Sequence, residues 1–153
     1  MNPEKIFNQH QHPIQDARYT QYCKAQLDSI GALVMENFLS VDTLESLQNE
    51  AREVRPLAYF CSQNHNAYLL DSDHSLPDEH IRNLEQQSDK GCVPHDQIPD
   101  NSPLRTLYEW SEFRVFLESV LDVPVFPYAD TLSSININYY ERGQQLGWHY
   151  DNA

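Results

Sequence analysis

Apolar positions recur at helical spacing in two stretches of this chain and give way to short alternating runs toward its end. The polar and apolar residues of "DARYTQYCKAQLDSI" (16–30) are compatible with a helix, and Gly31 supplies a stop. "ALVMENF" (32–38) reads as a short strand. In "SVDTLESLQNEAREVRP", Val41, Leu44, Leu47, Ala51 and Val54 form a stripe close to the helical period. Asp42 with Glu45 three residues on predicts its start, and Pro56 its end. "LAYFC" (57–61) and "AYLL" (67–70) flank the turn-rich "SQNHN" and predict a pair of strands. "SLPDEHIRNLEQQ" (75–87) predicts a short helix with Ser75 as cap and Pro77 in its first turn, followed by turn-rich "SDKGCVPHDQIPDN". Ser102 and Pro103 open the second clear helical stretch, where Leu104, Leu107, Tyr108, Phe113, Leu117, Val120 and Leu121 supply an apolar face broken near Ser111.

After Asp122 the character changes. "VPVFPYAD", "SSININYY" and "LGWHYD" are short, β-branched or aromatic, with "ERGQQ" as a turn between the last two. Helices first and strands afterwards predict an α+β protein whose sheet is still being built where the chain stops. The polar residues 1–15 are expected to be loosely held, and 16–153 to form one domain, a length that suffices for a single core.

Charge narrows the partners. With 23 acidic against 10 basic residues the formal net charge is −13, a field that repels phosphate backbones and disfavours nucleic acid or anionic membrane. Cys23, Cys61 and Cys92 are far apart and form no C-x-x-C, which argues against a disulfide framework or zinc ribbon and for a reducing compartment. The N-terminus holds no apolar run suited to a signal peptide and no stretch approaches the ~20 apolar residues of a membrane span, so a cytoplasmic location is expected. There is no G-x-S-x-G, and the four glycines form no phosphate loop, so hydrolase and nucleotide-binding classes find no support.

What remains is "LGWHYD". Strand side chains alternate faces, so His149 and Asp151 would present imidazole and carboxylate to one side, with Trp148 and Tyr150 on the other, where core packing is their simplest role. One nitrogen and one oxygen donor, joined by a distant His, make the 2-His-1-carboxylate arrangement that leaves positions on Fe(II) open for a cosubstrate and O2. In "SSININYY" the same period puts Asn136, Asn138 and Tyr140 on one face, able to line a polar pocket, or simply to face solvent. His10, His12, His65, His74, His80 and His95 fall in polar termini, turns or loops, where solvated histidines are the ordinary case. None is taken as the third ligand.

Together "YADTL", Asn136 and Asn138, Gly143 and "LGWHYD" resemble the central signature of Fe(II)/2-oxoglutarate-dependent oxygenases. The pattern is closest to the amino-acid hydroxylase family that includes the standalone radical halogenases. "LPDEHIRN" and "IPDNSPLRTLYEW" resemble further segments of that family, so the similarity runs from about residue 57 to the end. The resemblance implies the first strands of a double-stranded β-helix (jelly roll), incomplete at the C-terminus, with Fe(II) and 2-oxoglutarate as cofactor and cosubstrate. It implies His149 and Asp151 as iron ligands, Asn138 and Asn136 as 2-oxoglutarate contacts, and Arg82 and Asn152 as substrate or cosubstrate contacts. Because Asp151 is kept where halogenases lose their carboxylate, hydroxylation of a small molecule such as an amino acid is favoured over halogenation. The distal His and the 2-oxoglutarate-binding Arg belong to later strands, so the expectation is an inactive fragment. The alternative is a non-catalytic module that binds a partner, or itself, through an exposed sheet edge.

Overall fold

The computed structural model describes residues 3–129, 132 and 134–150. It is a mixed α+β structure that divides into two compact units, residues 1–54 with 94–136 and residues 55–93 with 137–153.

The first unit is helical. Helix α1 (Ala17–Ile30) starts where the Asp16 carboxylate accepts the Arg18 amide at 2.7 Å and the Tyr19 amide at 3.4 Å, satisfying N–H groups that the helix leaves unpaired. It stops at Gly31, whose left-handed φ of 72° costs a residue without Cβ nothing. Replacing Asp16 by Ala is expected to cost about 1 kcal/mol, read as a lower urea midpoint with an unchanged slope. Helix α2 (Val41–Val54) is entered through Ser40, not through the predicted Asp42 and Glu45 pair: Ser40 Oγ accepts the Thr43 amide at 3.3 Å and its carbonyl accepts the Leu44 amide at 2.9 Å. Helices α3 (Pro103–Glu109) and α4 (Ser111–Leu121) meet at Trp110, one residue from the predicted break.

The core of this unit gathers Phe7, Ile14, Cys23, Trp110, Phe116 and Val120. Tyr19, Cys23 and Leu27 bring one face of α1 to it, and Phe113, Phe116, Leu117 and Val120 one face of α4. Residues 3–15, whose polarity predicted a loose attachment, place Ile6, Phe7, His12 and Ile14 among the buried side chains, and Phe7 bridges Leu39. Buried His12 donates Nε2–H to the Glu36 carbonyl at 2.8 Å and accepts the Tyr19 hydroxyl at Nδ1, 2.6 Å away. Burial pushes the Tyr19 phenol above its ordinary range, and the neighbouring Cys23 adds to the shift. A raised acid holds its proton longer in the native state, so stability is fully present below the unfolded phenol value of about 10 and falls as pH rises beyond it. Urea midpoints measured upward from there should fall more steeply for the wild type than for Tyr19→Phe.

The second unit carries a three-stranded sheet in the order β1 (Tyr59–His65), β2 (Gln86–Pro94), β3 (Asn136–Tyr139). Strands β1 and β2 are antiparallel, with Phe60 opposite Gly91 and His65 opposite Gln86. A Cβ on Gly91 would lie 2.7 Å from the Phe60 ring, so the aromatic side chain covers the glycine.

Several predicted elements are corrected. Residues 32–38 form no strand, because Asn37 adopts a left-handed φ of 53°. The pair 57–61 and 67–70 is replaced by β1 running through "SQNH", while 67–70 turn at Leu69, φ 54°. The helix predicted over 75–87 is a series of turns held by buried Asn83. Its side-chain amide donates to the Asp73 and Pro77 carbonyls at 2.9 and 3.2 Å, and its oxygen accepts the Asp73 amide at 2.8 Å. Residues 123–129 form no strand, since Pro124 and Pro127 have no N–H and the Val125 and Tyr128 amides donate to Glu118 and Tyr108 side chains. "LGWHYD" is not a strand either over its described residues 146–150.

Candidate functional site

Residues 145–150 are nonetheless tied down along their length. The Gln145 carbonyl accepts the Asp89 amide at 2.8 Å, and the Tyr150 amide donates to the Ala67 carbonyl at 2.8 Å. Between these ends, two side chains of β2 grip the backbone. Ser88 Oγ accepts the Gly147 amide at 2.8 Å, while the Gln86 side-chain amide pairs with Trp148 in both directions, each bond 3.0 Å. Gln86 and Ser88 are two apart on a strand and so share a face, opposite His65 on β1.

Exposure alternates along this segment. Leu146, Trp148 and Tyr150 are exposed, Trp148 at 86%, while Gly147 and His149 are half-buried. Over 146–150 exposure thus alternates with a period of two without a strand ladder, while Asp151, the other half of the expected pair, lies outside the described residues. The core-packing role expected of Trp148 and Tyr150 is corrected: both are on the surface, Tyr150 stacked on Tyr68 with ring centroids 5.5 Å apart.

Gly147 allows the close approach. A Cβ there would lie 3.0 Å from Gln86 Cβ, 3.2 Å from His65 Nε2 and 3.3 Å from the Gln87 carbonyl oxygen. Backbone on one side and the root of a side chain on the other cannot both yield. Gly147→Ala is expected to cost about 1–3 kcal/mol through overpacking, measured as a drop in urea midpoint. A shift under a few tenths would mean that the segment is not docked as described.

The His149 ring makes a contact that defines its chemistry. Its Nδ1 lies 2.9 Å from the Gly147 carbonyl oxygen. A carbonyl can only accept, so Nδ1 carries the proton. Metal-binding histidines are commonly held by such a bond from the non-ligating nitrogen. The ring stands almost perpendicular to His65, at 85° and 5.7 Å between centroids. A polar cavity of about 440 Å³ reaches His65 and is lined also by Asn64, Asn66, Asp71 and Glu85.

The other expected residues are more dispersed. Asn136 and Asn138 lie on β3 with their side chains on its more exposed face. Arg82 is exposed in the 76–84 turns, near enough to Asp73 to help lower that carboxyl, whose main cause of depression is its hydrogen bonds from Ser75. Asp151 and Asn152 lie outside the described residues. Among the described residues no group of three or more His, Cys, Asp or Glu is placed to hold a metal ion. His65, discounted as a solvated turn residue, is half-buried at the end of β1, and it is the residue that the sequence reading missed.

Comparison with protein-family models, with curated proteins and with solved structures found no match.

Proposed function

We propose that the chain carries part of an Fe(II)- and 2-oxoglutarate-dependent oxygenase of the hydroxylase type, with His149 and Asp151 as metal ligands. The observation that carries the proposal is the His149 ring. Its Nδ1–H is given to the Gly147 carbonyl, within the H-x-D segment that the resemblance singles out, which is the orienting bond that an Nε2-ligating histidine commonly carries. The donor set of imidazole and carboxylate suits Fe(II). When bound, the metal with 2-oxoglutarate and O2 would supply insertion of one oxygen atom into a substrate C–H bond, the other leaving in succinate as CO2 is released. Residues of the chain would bind and orient. Asn138 and Asn136 on β3 are proposed contacts for 2-oxoglutarate, and Arg82 and Asn152 for a small-molecule substrate. The small sheet is proposed to be the beginning of a double-stranded β-helix, which would bring the distal ligands from other strands.

The test is anaerobic Fe(II) titration with 2-oxoglutarate, following the weak visible charge-transfer band of the ternary complex. A saturable band is expected; its absence from folded protein at millimolar iron would exclude the site in this chain.

A second reading, a module acting by partner binding or self-association, is favoured by the exposed row Leu146, Trp148 and Tyr150. Light scattering over a concentration series separates the two. A dimer that Trp148→Ser converts to monomer would support association through this row, and a monomer throughout would count against self-association.

A further inference from the structure

We propose that His65 and Ser88 act as a positioning pair that fixes the His149 imidazole through Gly147, and that His65 is not itself a ligand. The consequence for metal binding rests on the oxygenase proposal; the positioning does not.

Four hydrogen bonds run in one chain from β1 to His149. His65 Nδ1 donates to the Asn66 carbonyl at 3.0 Å. In the neutral ring Nε2 is then the acceptor, and it takes the Ser88 hydroxyl proton at 2.6 Å. Ser88 Oγ in turn accepts the Gly147 amide at 2.8 Å, and the Gly147 carbonyl accepts His149 Nδ1–H at 2.9 Å. The directions are set by groups that have no choice: two carbonyls that only accept and an amide that only donates. Both His65 nitrogens are thereby committed, which leaves no lone pair for a metal.

Each link has a mechanical role. A serine hydroxyl rotates freely unless its proton has a fixed destination; His65 provides that destination and leaves the oxygen lone pairs toward Gly147. Glycine is the residue whose flanking peptides swing most easily, and here both are held. Ser88 holds the peptide that carries the Gly147 N–H, and Gln86 holds the next one through the Trp148 N–H. That second peptide carries the carbonyl to which His149 is bonded. The perpendicular packing of the His65 ring against His149 limits rotation of the imidazole from the side. Loosening this scaffold weakens the bond that favours the Nδ1–H tautomer of His149, the one that presents Nε2 as a ligand.

The test reads the ring directly. Two-bond ¹⁵N–¹H correlation spectra of metal-free, histidine-labelled protein, taken above the imidazole titration range, distinguish the tautomers. In the wild type both His65 and His149 should appear as the Nδ1–H form. Ser88→Ala and His65→Ala should move His149 toward a mixture, while Ser88→Thr keeps the hydroxyl and His65→Gln keeps an acceptor, and both should preserve the wild-type signal. Far-UV spectra confirm that the variants remain folded. Anaerobic Fe(II) titration should then show affinity weakened by roughly 10–100-fold in the two alanine variants and close to wild type in the two conservative ones. An unchanged His149 signal in both folded alanine variants would overturn the proposal. So would a loss of Fe(II) affinity in His65→Gln as complete as in His149→Ala, which would make His65 a ligand. If the wild type binds no Fe(II), the oxygenase role fails, and the tautomer spectra still decide the positioning.

Discussion

Phe116→Ala is expected to remove about 3–5 kcal/mol of stability, a large fraction of the roughly 5–15 kcal/mol that holds a typical domain folded. The side chain is 2% exposed and sits where α1 and α4 meet. It stacks on Tyr19 at 6.1 Å and on Phe113 at 6.3 Å between ring centroids, so truncation loses burial and two aromatic contacts at once. The cavity has little means of collapsing, because Cys23 and Val120 beside it are themselves buried on helices. Urea unfolding followed by far-UV circular dichroism measures the loss. Tyr22→Ala provides the contrast: on the same helix as Tyr19 but 60% exposed, it should shift stability by no more than about 0.5 kcal/mol. Equal effects at both positions would mean that the α1–α4 seam is not the core.

That seam was legible in the sequence for physical reasons. Gly31, Ser102 and Pro103 are local signals, acting on backbone within a turn of themselves, and α1 ends and α3 begins where they predict. Apolar spacing on α4 places Phe113, Leu117 and Val120 on the core face. On α2 the stripe is less faithful: Val54 is buried, whereas Val41 and Leu44 are exposed and Thr43 is buried instead. Spacing reveals which residues share a face but not how much of that face is covered.

The sheet was harder to read. Strand β2, "QQSDKGCVP", has one β-branched residue, Val93, and a glycine that resembles a turn former. Its strand state comes from pairing with β1 and from Phe60 lying over Gly91, neither of which is local. The missed part of the site follows from the same cause. His149 stands out through its neighbour two residues on, but His65 gains meaning only from a register that sets it opposite Gln86 and beside Ser88, more than twenty positions away. Alternating polar residues on a strand, here Gln86 and Ser88, were the signal available, and it becomes specific only once the strand is known.

If the chain carries the proposed iron site, His149→Ala and Asp151→Ala are each expected to abolish the Fe(II)/2-oxoglutarate charge-transfer band. Removing an outer partner of a metal ligand typically weakens binding by roughly 10–100-fold, so losing either proposed ligand should exceed that range. The two substitutions remove different donors, an imidazole nitrogen and a carboxylate oxygen, but the bidentate cosubstrate needs both to leave its own positions on the metal correctly disposed. His149→Ala should also leave the Ser88 hydroxyl bonded to Gly147, since that link lies on the far side of the glycine from the imidazole. The variant should therefore keep wild-type stability within about 1 kcal/mol while losing the band. Gly147→Ala should do the reverse in kind, lowering stability and weakening the band together. A band that survives His149→Ala at wild-type iron affinity would move the metal, if bound at all, away from this segment. Retention in His149→Ala combined with loss in His65→Ala would assign ligation to the histidine whose two nitrogens are here engaged by Asn66 and Ser88.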